Sequence, residues 1–282
     1  MQRVNVVDFD IQIPAGRLRA RRHGDERAPL VLALPGLTAN LASFDYIGEH
    51  LGGDLQLVAL DLRGRGFSDA GPAGSYGWEA HARDAFAAAD ALSARRFAIV
   101  GWSMGGLVAL QMAAMDAPRL ERVALIDIAT TAEPDWTPVI RMSVDRLNNV
   151  VPSRAAYLDA VKAIGTIQPW SEFWDRYFAY ELEDFESGVR ARTRYEAADE
   201  DFEYGLRRNA SELWPHLTMP VLLLRAQRPL LPGTELFIVK EHQRDAFSKA
   251  VADLEVVEVD ANHYTIATSP VTVEALRRFL SR

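Results

Sequence analysis

Val100-Gly101-Trp102-Ser103-Met104-Gly105-Gly106 sets one serine between glycines two residues away on either side. The apolar run Phe97-Ala98-Ile99-Val100 leads into it, and Leu107-Val108-Ala109-Leu110-Gln111-Met112, helical in character, follows. The pattern is strand, sharp turn, helix, with a hydroxyl at the tip. Strand and helix backbones crowd such a turn from both sides, so its flanking positions have no room for a Cβ atom. The turn lifts the hydroxyl above the sheet and aims the first N–H groups of the helix at whatever the serine attacks. Five residues of this kind occur by chance; the strand before and the helix after give them weight. Ser103 is therefore a candidate nucleophile, if the chain also supplies a base, an acid and a second donor loop.

Outward from this stretch the chain repeats one rhythm. Leu30-Val31-Leu32-Ala33-Leu34, Leu55-Gln56-Leu57-Val58-Ala59-Leu60 and Val123-Ala124-Leu125-Ile126 are short apolar runs, as expected of strands buried on both faces of a parallel sheet. Helical patterns at 41–51, 78–92 and 107–112 alternate with them, which indicates βαβ units. Ahead of these, Val4–Ile11 and Leu18–Arg22 read as a hairpin turning at Pro14-Ala15-Gly16. The rhythm breaks near Thr130. From 131 to 213 no buried strand is evident, and Trp170, Phe173, Trp174, Tyr177 and Phe178 fall on one helical face. Strands resume at Pro220–Leu224 and Leu254–Val259, and a last helix covers 271–280. The expected organisation is a core of residues 1–130 and 214–282, with a helical cap, 131–213, inserted after the strand at 123–126. The fold class is α/β, with about eight mostly parallel strands flanked by helices.

Composition narrows the function. With 282 residues and 49% hydrophobic side chains the chain can build a large core, so metals and crosslinks are not needed for stability. No cysteine is present, which removes disulfides and thiolate metal sites and fits a reducing cytoplasm. The amino terminus lacks a basic stretch leading into an apolar core, so no signal peptide is expected. No apolar run approaches the ~20 residues that span a bilayer. A formal charge of −8 argues against nucleic acid or an anionic membrane as partner. The expected partner is a small molecule, with no cofactor and no metal, and a homodimer is left open.

Four motifs occur in order: Leu34-Pro35-Gly36-Leu37, Asp61-Leu62-Arg63-Gly64-Arg65-Gly66-Phe67-Ser68-Asp69, the turn at Ser103, and Asn262-His263 after the last strand. Together they resemble the α/β-hydrolase superfamily over essentially the whole length, most of all its capped serine esterase, lactonase and C–C hydrolase branch. The resemblance implies Ser103 as nucleophile, His263 as base, and an oxyanion hole made by the backbone N–H groups of Leu37 and Met104. His23, His50, His81, His216 and His242 read as surface or capping residues. For the acid, the usual place after the strand at 220–224 holds Arg225-Ala226-Gln227-Arg228 and no carboxylate before Glu235. Asp127, directly after Ile126, occupies the other place the superfamily uses. It is the favoured acid, with Glu235 and Asp245 in reserve. In the Asp61–Asp69 loop the glycines serve the turn and the arginines are expected to form local ion pairs. Trp102, Trp136, Trp170, Trp174 and Tyr177 are candidate substrate contacts. The expected activity is hydrolysis of an apolar carboxylic ester or lactone through an acyl-enzyme. C–C hydrolysis of ring-cleavage products, or ligand binding without catalysis, are the alternatives.

Overall fold

The computed structural model describes residues 4–51, 54–131, 133–186 and 188–281; the first three residues of the amino-terminal stretch lie outside it. In chain order the strands of the main sheet are β1 (Val6–Ile13), β2 (Gly16–His23), β3 (Leu30–Leu34), β4 (Gln56–Leu60), β5 (Phe97–Trp102), β6 (Leu120–Ile126), β9 (Val221–Ala226) and β10 (Leu254–Val259). Their spatial order is β1-β2-β4-β3-β5-β6-β9-β10. The β1–β2 hairpin and the β2–β4 pair are antiparallel, and every other neighbour pair is parallel. This is the eight-stranded, mostly parallel sheet that the apolar runs predict.

The apolar runs become strands because both of their faces are covered. Along β3, Leu30, Leu32 and Leu34 join one core and Val31 and Ala33 the other, the two-residue alternation of a strand. The first core is closed by α2 (Trp78–Ala91), α3 (Met104–Asp116) and Phe247 of α8 (Glu241–Ala250). The second is closed by α1 (Asp45–Leu51) and α9 (Pro270–Leu280), which contribute Ile47, Leu51, Leu276 and Phe279. Strand order reverses direction around β3: the chain steps from β3 to β4 on one side and then crosses back to β5 on the other. Loops leaving the carboxyl ends of β3 and β5 diverge there and leave a crevice, the general ligand-binding position of such sheets.

Between β6 and β9 the chain inserts α4 (Thr137–Asp145), α5 (Arg154–Ile164), α6 (Glu172–Glu181), β7 (Leu182–Phe185), β8 (Gly188–Ala191) and α7 (Tyr195–Leu206). The sequence reading expects a wholly helical insertion; the structure departs from it, because β7 and β8 form an antiparallel pair. Leu182, Val189 and Ala191 are buried in it, and Glu186 turns the chain at φ +47. Four-residue strands are too short for their alternation to stand out against the helices around them.

Candidate active site

Ser103 sits between β5 and α3 with φ +54 and ψ −123, a conformation that costs a side-chain-bearing residue about 1–3 kcal/mol. The neighbouring glycines make this turn possible by close approach. A Cβ on Gly105 would lie 2.0 Å from the Leu34 carbonyl oxygen, and one on Gly101 would lie 2.4 Å from that of Gly105.

Asp127 follows β6 and is also held at positive φ, +49. Strand β9 fixes it. The Asp127 N–H donates to the Leu224 carbonyl at 2.7 Å, and the Ala226 N–H donates to Asp127 Oδ1 at 3.0 Å. Its second oxygen, Oδ2, is 2.8 Å from His263 Nδ1. Since a carboxylate only accepts, this pairing assigns the proton of the neutral imidazole to Nδ1 and leaves a lone pair on Nε2.

His263 is presented by a loop that Asn262 organises. The Asn262 side-chain oxygen accepts from the N–H groups of Tyr264 and Thr265, and its Nδ2 donates to the Thr166 carbonyl at 2.6 Å. Trp102 adds a further hold, its indole N–H donating to the His263 carbonyl at 3.1 Å.

Ser103 and His263 both open onto a cavity of about 170 Å³. Gly36, Leu37, Trp102, Ser103, Met104 and His263 line it from the main sheet's side of the chain, outside the insertion. Trp136, Ile140, Ser143, Phe202 and Leu206 of the insertion line the same cavity. The Gly36 carbonyl accepts from the Ala39 N–H at 3.2 Å. In a trans peptide the Leu37 N–H lies opposite that carbonyl and stays out of the turn's own hydrogen bond. The Met104 N–H, at the start of α3, is one of the four that a helix leaves without an intrahelical partner.

The predicted substrate contacts divide. Trp102 and Trp136 line the cavity, whereas Trp170, Trp174 and Tyr177 do not. Trp170 stacks on Phe178 with ring centroids 5.7 Å apart, and Trp174 and Tyr177 are buried with Phe173 against the α1–α9 side of the sheet. Of the five residues that periodicity sets on one helical face, Phe173, Trp174, Tyr177 and Phe178 are buried on α6, while Trp170 lies ahead of the helix and is half-buried; periodicity carries no information about what covers the face. The reserve acid Asp245 pairs with Arg244 at 2.9 Å, and His263 Nδ1 is paired with Asp127.

Two histidines depart from the surface role expected of them. His23 and His81 are buried, each against an aspartate: His23 on Asp45 at 3.2 Å, His81 on Asp201 at 2.8 Å. Asp201, from α7, also meets Arg65 at 2.6 Å, with both side chains fully buried. Burial alone would raise the Asp201 pKa, but His81 and Arg65 outweigh it and hold the carboxyl well below the usual range. The Asp61–Asp69 loop thus reaches beyond the local ion pairs expected of it. Asp61 likewise bridges to the insertion, accepting from the Leu41 and Phe67 N–H groups and from the Tyr180 hydroxyl at 2.7 Å. Among the described residues no group of three or more His, Asp and Glu could hold a metal ion, and no helix is long and apolar enough to cross a membrane.

The description of the α/β-hydrolase fold matches residues 29–270. The chain belongs to the α/β-hydrolase fold family. It is 39% identical over 106 residues to an N-formylmaleamate deformylase of Pseudomonas putida, a match that spans 38% of this chain and 39% of that protein. It is 24% identical over 287 residues to a 2-(acetamidomethylene)succinate hydrolase of Mesorhizobium japonicum, over 95% of this chain and 94% of that one. A solved E-2-(acetamidomethylene)succinate hydrolase superposes with a TM-score of 0.86 at 24% identity, covering 99% of this chain and 100% of the other, which shows the shared fold. Both curated relatives are hydrolytic enzymes by name.

Proposed function

We propose that the protein is a cofactor-independent serine hydrolase acting on a neutral, mainly apolar carboxylic ester or lactone. The observation that carries this is the convergence of Ser103, the Asp127–His263 pair at 2.8 Å and two N–H groups, those of Leu37 and Met104, on one apolar cavity. In this reading Ser103 Oγ attacks the carbonyl carbon while His263 Nε2 takes its proton, and Asp127 stabilises the imidazolium. The Leu37 and Met104 N–H groups receive the oxyanion, each such donor being worth roughly 3 kcal/mol in comparable enzymes. Collapse returns the proton from His263 to the leaving alkoxide. A water, deprotonated by the same nitrogen, then attacks the acyl group and frees Ser103. The insertion serves as a cap supplying the far wall.

The cavity also bears on the substrate. The relatives' names carry maleamate and succinate, both carboxylates. No arginine or lysine lines this cavity among the described residues, and its one acid, Asp201, is already matched by Arg65 and His81. An anionic substrate would lose its hydration here without gaining a counter-charge. A neutral acyl compound suits it better.

Incubation with p-nitrophenyl esters of increasing acyl length, together with fluorophosphonate labelling located by mass spectrometry, tests the proposal. Turnover of neutral esters and a single adduct on Ser103 are expected. An inert, unlabelled protein would reject it, and preferential turnover of carboxylate substrates would reject the neutral specificity.

A further inference from the structure

Arg65 is fully buried, and three of its nitrogens reach three different parts of the molecule. Nε and Nη2 donate to the Leu37 carbonyl at 3.2 and 3.0 Å. Nη1 donates to the Arg63 carbonyl at 3.0 Å, and Nη2 pairs with Asp201 Oδ2 at 2.6 Å. Asp201 is itself held from below by the Gly77 N–H, 2.6 Å from Oδ1, and by His81 Nε2, 2.8 Å from Oδ2. Asp201 lines the cavity from α7, so this chain of contacts runs from the insertion to the loop after β3.

Leu37 lies between two peptide planes. The Ala39 N–H holds the first, through the Gly36 carbonyl, and that plane carries the Leu37 N–H. Arg65 holds the second, through the Leu37 carbonyl. With both planes fixed, φ and ψ of Leu37 have no freedom, and the N–H has one direction. A neutral donor would suffice to satisfy a carbonyl. A buried ion pair is weak evidence for stability, because desolvation offsets the attraction, so its presence here calls for a positional reason.

We infer that Arg65 is a positioning residue for the Leu37 oxyanion donor, and that Asp201 makes the orientation of that donor depend on the seating of α7. The inference rests on the serine-hydrolase reading above. It is tested by kcat and KM for one p-nitrophenyl ester, and by the rate of fluorophosphonate attachment, in the wild type, Arg65→Lys and Asp201→Asn. Lysine keeps the charge but cannot brace the carbonyl through two nitrogens at once. A displaced oxyanion donor should lower kcat about 10- to 100-fold in Arg65→Lys, with phosphonate attachment slowed in parallel and KM within about threefold of wild type. Asp201→Asn should change the same quantities in the same direction by about 3- to 10-fold. A general loosening of the site would instead move KM together with kcat, and that result, or an unchanged kcat in folded Arg65→Lys, overturns the inference. If Arg65→Lys does not fold, Asp201→Asn decides: kcat lowered at constant KM supports the inference, and any other result overturns it. A wild type that neither turns over esters nor labels at Ser103 rejects the serine-hydrolase reading itself, a failure distinct from that of an active wild type with an equally active Arg65→Lys.

Discussion

The carboxyl edge of the sheet and the insertion face each other across one cavity, and they are built on opposite terms. The edge offers polar groups on strained backbone: Ser103 and Asp127 both sit at positive φ, each directly after a strand that pairs with a neighbour on both sides. The insertion offers apolar surface on unstrained helices, and it spends that surface in two directions. Helices α4 and α7 pack on each other through Val144, Ala198 and Phe202 and turn Ile140 and Phe202 to the cavity. Helix α6 carries more aromatic rings, yet Phe173, Trp174, Tyr177 and Phe178 all seat it on the α1–α9 core. Aromatic density therefore marks where the insertion is anchored, and a sparser apolar face marks where it lines the cavity.

The sharpest test of this division lies on the edge. Asp127→Asn keeps an oxygen for the Ala226 N–H but removes the acceptor that sets the His263 tautomer. The expected loss is about 10⁴-fold in kcat with the fold retained. Steady-state kinetics beside a circular-dichroism melt would measure it. Turnover within tenfold of wild type would show that the edge does not work as described.

Within the insertion the effects should separate by helix. Trp174→Ala removes a fully buried indole from the anchoring cluster and should cost about 3–5 kcal/mol of stability, seen as a lowered urea midpoint. KM of the protein that remains folded should stay near wild type. Ile140→Ala should do the reverse, lowering kcat/KM for long-chain esters about tenfold, or roughly 1.4 kcal/mol, with little change in midpoint. If Trp174→Ala altered KM more than Ile140→Ala did, the two directions assigned to the insertion would have to be exchanged.

How far the sequence reveals this arrangement depends on the range of each interaction. The buried strands and the Ser103 turn are legible because their causes are local: apolar runs of five or six residues, and glycines where Cβ atoms would meet backbone at about 2 Å. Asp127 is reached only through the family resemblance, as the second place the superfamily uses for its acid, since nothing in Leu125-Ile126-Asp127 announces a positive φ or the hold of Ala226. The Arg65–Asp201–His81 cluster is not legible at all. Its members come from a loop, an inserted helix and α2: Arg65 reads as part of a local ion pair, His81 as a surface or capping residue, and nothing in the sequence singles out Asp201. The choice between Trp136 and Trp174 as cavity wall is hidden for a related reason: amphipathicity fixes which face is buried, while tertiary packing decides against what.

The smallest effect concerns the tie between the two regions at Asp61. Burial raises its pKa from 3.8 to about 6, although the Leu41 and Phe67 N–H groups and the Tyr180 hydroxyl each favour the ionised form. Between 3.8 and about 6 the folded chain therefore keeps a proton that the unfolded chain has released. The state that binds more protons loses ground as they are withdrawn, so this residue's contribution to stability falls as pH rises through that window and is constant above it. Tyr180→Phe removes one donor to the carboxylate and should carry the fall to higher pH, beyond the wild-type limit near 6. Asp61→Asn should abolish it. Urea midpoints measured from pH 4 to pH 8 on the three proteins would show the ordering. A Tyr180→Phe profile that overlays the wild type would mean that α6 is held to the sheet edge by its aromatic face alone, and that the hydroxyl adds nothing to the joint.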